Sequence, residues 1–287
     1  MLSGKCLFLC AVIIGSACLG ASGQDRGSVW KVTAPNGGTL YLGGSIHALR
    51  STDYPLPSAY NRAFDAADRI VFEADPNISP WTVKQFVKSA EYPKNDNLKQ
   101  HLDLRTYEYL RRLFLSWHVP EEKFSPLKPW AILELLWSPQ LYGLSQSLGI
   151  ESFLERRARA NHKPMSGLES FHEHNEVLSG LSDHETEIAI LLSLVPETNS
   201  DAHNRLMSAW RKGDADTIAK LDHAQFHEFP VFEERLVEAR SRKWIPEIEN
   251  YLQSGRVYFV VAGVGHMGGP NGLLALLRSR GGRIEQL

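Results

Sequence analysis

Residues Arg256 to Pro270 read RVYFVVAGVGHMGGP, and this stretch decides the fold. Val257 to Ala262 is an unbroken apolar, β-branched and aromatic run of strand length. It has no polar alternation, which is the pattern of a strand covered on both faces. Gly263-Val264-Gly265-His266 follows, then Gly268-Gly269-Pro270 and a helical pattern through Leu273, Leu274, Leu276 and Leu277. A buried strand therefore ends in a glycine-rich turn that presents a histidine. Glycine permits close backbone approach to a ligand, and open α/β sheets bind ligands at the carboxyl ends of their strands.

That histidine is not alone. Thr39 to His47 reads TLYLGGSIH, again an apolar strand that breaks at glycines, with His47 three residues after Gly44. The chain thus carries two strand-G-x-x-H units, one near each end. Between them, Arg69 to Phe72 reads as a strand whose tip is Glu73-Ala74-Asp75-Pro76. The helical pattern from Ser58 to about Asp68, with Ser58 as its N-cap, makes this a β-α-β unit, so His47 and Glu73 should share a carboxyl edge. Lys163 to Ser170 is a shorter strand-like piece that also ends in a carboxylate, Glu169. Val29–Val32 and Thr39–Leu42 flank Asn36-Gly37-Gly38, a hairpin signal, and Arg283 to Leu287 reads as a closing strand.

The rest of the chain is helical in pattern. The expected fold is α/β: a mixed, largely parallel central sheet built from both chain ends, with flanking helices and a large helical insertion over about 77–250. Residues 24–287 read as a single domain. Asp183–Leu194, Asp201–Leu221 and Glu233–Leu252 are helices, with Gly213 as a C-cap and Pro246 interrupting the last. Arg240 lies on that last helix, just before the critical strand, where an arginine could brace a carboxylate.

Composition excludes several classes. With 43% hydrophobic and 22% charged residues the chain is ordinary globular protein, and a formal net charge of -2 leaves no electrostatic footprint for nucleic acid. Lys5, the apolar run Cys6–Leu19 and the small-residue exit Gly20-Ala21-Ser22-Gly23 read as a signal peptide over 1–23, with a mature start near Gln24. Such a leader places the protein in the periplasm, with no transmembrane span after cleavage. Lipidation at Cys18 fits less well, because Gly15-Ser16-Ala17 is a poor lipidation box. Cys6, Cys10 and Cys18 all lie in this leader, so the mature chain has no thiol chemistry. Gly143-Leu144-Ser145-Gln146-Ser147 lacks the closing glycine of a nucleophile elbow. His172-Glu173-His174 lacks the spacing of a zinc helix, and in the His223/His227 pair the acid, Glu228, lies outside the pair.

Taken together, GSIH, GVGH, the strand-ending FEAD, KPW at Lys128–Trp130, GLE at Gly167–Glu169 and the C-terminal GHMGGPNGLLALLRSRGGRIEQL resemble the TraB/GumN family. That family includes the Tiki-type metal-dependent proteases and is more distantly similar to erythromycin-esterase and ChaN-like haem-binding proteins. The resemblance spans Trp30 to Leu287. It implies metal-dependent peptide hydrolysis, with His47, Glu73 and His266 at a divalent ion (Mn, Co, Zn or Fe). Two positions depart from the family pattern: Glu151 stands where Asp is common, and Ser241 stands where Asn often follows the arginine.

Two neutral imidazoles and a carboxylate would leave open positions on such an ion. The ion would lower the pKa of a bound water from 15.7 to about 7. Glu169 or Glu73 would serve as base, Glu169 alternatively as a fourth ligand, and Arg240 as an oxyanion or carboxylate partner. A metal-free histidine–glutamate hydrolase and a non-catalytic cleft for a peptide, haem or sugar are the alternatives. The expected partner is a peptide or small molecule.

Overall fold

Six strands, β1 (Val29–Thr33), β2 (Thr39–Ser45), β3 (Arg69–Ala74), β4 (Met165–Glu169), β5 (Tyr258–Gly263) and β6 (Arg283–Gln286), build one sheet in the order β4-β3-β5-β2-β1-β6. The computed structural model describes residues 26–194 and 202–287, so the expected leader lies outside the described residues. β2, β5, β3 and β4 run parallel, while β1 is antiparallel to both β2 and β6. The fold is the expected mixed, largely parallel α/β sheet.

The register explains the site. Ser45 lies beside Gly263 across β2 and β5, and Ala74 lies beside Glu169 across β3 and β4. Four parallel strands therefore end together. Phe259, Val260, Val261 and Ala262 of β5 have no exposed surface, as expected of a central strand covered on both faces. The β1–β2 hairpin turns through Ala34 to Gly38, with Gly37 in the left-handed region at φ 87°.

One expectation needs adjusting. The helix after the first G-x-x-H unit is Ser58–Ala66 with Pro57 in the capping position, so Ser58 is its first helical residue. The insertion between β3 and β5 is helical except for β4, which joins the sheet as its edge strand. Part of this insertion packs on its own hydrophobic cluster, which includes Leu98, Leu110, Phe114, Ile132, Leu133 and Phe232. The sheet has a separate core that includes Tyr60, Trp210, Trp244, Ile248 and Val260. Residues 202–226 form two helices, Ala202–Lys212 and Ala215–Phe226, broken at Gly213 (φ 68°), where a C-cap was expected.

The helix that carries Arg240 begins unusually. Glu234–Glu238 is a π-turn that runs directly into Ala239–Gln253, and Pro246 sits inside the latter without ending it. A π-turn widens the helix by one residue and re-aims the side chains after it. Arg240 and Ser241 are the first two polar side chains past this turn. Among the described residues no helix is long and apolar enough to cross a membrane.

Candidate active site

Each G-x-x-H turn is fixed before its histidine is placed. The Gly44 carbonyl accepts hydrogen bonds from Trp210 Nε1 at 2.9 Å and from the Tyr60 hydroxyl, and the Gly44 amide donates to the Ser28 carbonyl at 2.8 Å. Gly149 lets the helix Ile150–Ala160 close onto the next residues, because a β-carbon there would sit 2.1 Å from the His47 carbonyl oxygen. That approach brings Glu151, in the helix's first turn, to His47 Nδ1 at 2.7 Å, and the Ser45 hydroxyl donates to the same carboxylate oxygen. The His47 ring is 63% exposed. The charge of Glu151 pulls its imidazole above the ordinary range, although burial opposes this. Solvent at the exposed ring screens part of that pull, and the direction stands. The second oxygen of Glu151, Oε2, is buried without a hydrogen-bond partner.

His266 sits in the opposite environment. It is 4% exposed, with its ring centroid 4.5 Å from that of Trp244. The Ser241 hydroxyl donates to the Val237 carbonyl at 2.8 Å, so its oxygen is left to accept from His266 Nδ1 at 2.9 Å. This fixes the neutral Nδ1–H tautomer and leaves Nε2 as an acceptor. Burial pushes the imidazole down to about 4.

Glu73 joins the two histidines. Its Oε1 accepts from the Gly263 amide at 2.5 Å and lies 3.8 Å from His266 Nε2. A β-carbon on Gly263 would stand 3.1 Å from Glu73 Oε1, 3.2 Å from His47 Nε2 and 3.6 Å from His266 Cδ2. The three expected residues thus border one point, and a glycine there lets them approach it. Burial favours the neutral acid, but the neighbouring His266 and Arg240 outweigh it and hold Glu73 well below the usual carboxylate range.

The other face of Glu73 belongs to Arg240. Nη2 donates to Glu73 Oε2 at 2.6 Å and to Glu169 Oε1 at 2.5 Å, and Nε donates to Glu169 Oε2 at 3.3 Å. Nη1 donates to the Leu236 carbonyl at 2.9 Å and to His266 Nε2 at 3.3 Å. A guanidinium has five N–H donors, and each has an acceptor here. The Leu236 carbonyl lies in the π-turn, so that turn anchors the side chain it re-aims. Trp244 closes the floor: its ring centroid is 4.8 Å from the guanidinium carbon and its Nε1 donates to Glu169 Oε2 at 3.3 Å.

Glu169, only 2% exposed at its side chain, also accepts from His174 Nδ1 at 2.8 Å. Burial opposes its charge, yet the bonds from His174 and Arg240 hold its pKa down. His174 was legible in the sequence only as half of an unpromising His-x-His. The helix Phe171–Ser179 starts with a capping box between Ser170 and Glu173. From that start His174 turns into the site, whereas His172 stays 87% exposed. His223 pairs with Glu233 and His227 with Glu228, both on the surface and away from any shared ligand group.

A metal ion can be tested against these donors. Among the described residues the group whose ligand atoms all lie within 4.8 Å of one another is Glu73, Glu169 and His174. These three could hold an ion. The expected set of His47, Glu73 and His266 shares only Glu73 with it. The three compact donors already converge on Arg240 Nη2, so an ion does not fit among them while the guanidinium is in place.

A profile of the TraB/PrgY/gumN family matches residues 28–286. Uncharacterized protein YbaP of Escherichia coli (strain K12) is 24% identical over 255 residues, covering 86% of this chain and 90% of the relative. The protein of the same name from Shigella flexneri matches to the same extent. No solved structure matches at a significant level. The match runs from β1 to β6 and takes in both G-x-x-H turns, Glu73, Glu169 and Arg240: the chain belongs to the TraB/PrgY/gumN family.

Proposed function

We propose that this protein is a hydrolase of the cell envelope that attacks a peptide or related carbonyl at the carboxyl edge of its sheet. One observation carries the reading. His47 is exposed just past the carboxyl end of β2, its Nδ1 is held by Glu151, and its Nε2 looks onto the point bordered by Glu73 and His266.

In this reading His47 is the general base. Glu151 fixes its orientation, so that the unprotonated Nε2 takes a proton from water as the oxygen attacks the carbonyl carbon. The proton held there then passes to the leaving group. Glu169, enclosed by Arg240, His174 and Trp244 with a lowered pKa, is poorly placed to move protons. Its role is to hold Arg240. Arg240, its donors spent on Glu73, Glu169, Leu236 and His266, is the carboxylate partner that fixes Glu73 beside the point where the carbonyl reacts. His266, neutral and wedged against Trp244, holds Arg240 Nη1 from the other side.

Metal-assisted hydrolysis is a second reading, favoured by the compactness of Glu73, Glu169 and His174. A bound divalent ion would supply an acidic water and polarise the carbonyl. That reading requires Arg240 to leave its present position, and no step above depends on it. The signal-peptide reading of residues 1–23 supports a periplasmic site of action.

The test is a screen of the purified mature chain against peptide and ester substrates, with His47→Ala and Glu151→Gln as controls. Turnover lost in His47→Ala is the expected result. A His47→Ala variant with full activity on the same substrate would overturn the reading.

A further inference from the structure

Arg240 stands where an ion would. The candidate ligand atoms of Glu73, Glu169 and His174 lie within 4.8 Å of one another. Arg240 Nη2 is 2.6 Å from Glu73 Oε2, 2.5 Å from Glu169 Oε1 and 3.2 Å from His174 Nδ1. We propose that Arg240 is a tethered cation filling a latent divalent-ion pocket made by Glu73, Glu169 and His174, and that it keeps the ion out.

The reason is competition for the lone pairs of the two carboxylates. Both carboxylates are buried at their side chains, 7% and 2% exposed, and a buried charge left without a partner is strongly destabilising. The guanidinium neutralises one of the two charges and hydrogen-bonds both groups. All five of its donors are used, two of them on Leu236 and His266. An entering ion would have to break these bonds together, because the guanidinium is rigid and cannot release one edge alone. The π-turn behind it and the Trp244 ring beside it hold the side chain in this position. Without the guanidinium, two carboxylates and one imidazole would face each other with no counter-charge. That donor set suits a divalent transition ion.

The inference stands independently of the hydrolase reading, since its readout is ion binding and not turnover. The chelator-treated protein is titrated calorimetrically with Mn2+ at neutral pH as wild type, Arg240→Gln, Arg240→Lys and the double variant Arg240→Gln/His174→Ala. Arg240→Gln is expected to bind one ion at least about tenfold more tightly than wild type. Arg240→Lys keeps the positive charge and should stay close to wild type, and adding His174→Ala should remove the gain. Wild type binding one ion as tightly as Arg240→Gln would overturn the proposal, as would a gain that survives His174→Ala. Should Arg240→Gln unfold without metal, its melting temperature is read with and without Mn2+. A rise absent from wild type is then the expected result, and no rise overturns the proposal.

Discussion

The two G-x-x-H turns have the same sequence pattern, and the fold gives them opposite chemistry. His47 pairs its Nδ1 with a carboxylate and faces solvent; His266 pairs its Nδ1 with a hydroxyl and is buried under Trp244. The first imidazole is pulled up and the second is pushed down to about 4. A motif that presents a histidine at a strand tip therefore fixes its position only. Its protonation is set by whichever helix closes over the turn: Ile150–Ala160 brings Glu151, and Ala239–Gln253 brings Ser241.

Removing each histidine should separate these roles most sharply. His47→Ala should lower kcat/KM by roughly 10²–10⁴-fold, the usual worth of a general base, with a smaller loss of melting temperature than His266→Ala, because the ring is exposed and only its pairing with Glu151 is lost. His266→Ala should lose activity and stability together. It opens a buried space beside Trp244 and frees one Arg240 donor, a loss of about 1–3 kcal/mol. Steady-state kinetics and thermal melts on the two variants check this, and equal melting losses would break the comparison.

Glu151→Gln should sharpen it next. The charge that raises His47 is removed while most of the hydrogen-bonding shape is kept, so the rising limb of the pH–rate profile should move to lower pH. Retention of the wild-type limb would mean that Glu151 does not set the titration of His47.

Gly263→Ala should give a smaller change. Its β-carbon would press on Glu73 Oε1 and His47 Nε2 at 3.1 and 3.2 Å, contacts that a small shift can relieve. Activity should fall by about tenfold, on the order of 1.4 kcal/mol in transition-state stabilisation, with little change in melting temperature. A valine at the same place should cost more, and a ranking of Gly above Ala above Val in kcat/KM checks the shared point.

The smallest effect lies outside the site. His101 bonds Asp183 at 2.7 Å and Asp96 at 2.9 Å and stacks on Tyr92 at 4.1 Å. Desolvation opposes its charge, but the two aspartates raise its pKa. A raised value means that this contribution to stability is fully present below about 6.5 and is lost as pH rises through the folded-state value. Melting curves should show His101→Gln matching wild type more closely at pH 9 than at pH 6. A constant difference across that range would count against the ion-pair reading.

Much of the site was legible because it lies at strand tips. An apolar run that stops at glycine and then a histidine, or at a lone glutamate, gives His47, Glu73, Glu169 and His266 directly. Arg240 reads as a carboxylate partner from its place just before the last parallel strand, but that it joins both glutamates at once was not legible. Arg240 is 71 residues from Glu169 and 167 from Glu73 in sequence, and the π-turn that aims it has no local signature. His174 did not stand out because His172-Glu173-His174 lacks the spacing of a zinc helix. The Ser170–Glu173 capping box separates the two histidines, sending one inward and the other to solvent. Glu151 could be noticed in the chain only as a departure from the family pattern. Its contact with His47 depends on Gly149 permitting a helix to approach, which is a tertiary event.

The most direct measurement is histidine NMR across a pH titration, with His47→Ala and His266→Ala used to assign the two rings. We predict that His47 titrates above 6.5, and that His266 stays a neutral Nδ1–H tautomer well below it. Two rings titrating together near 6.5 would contradict the opposite roles assigned to the two turns.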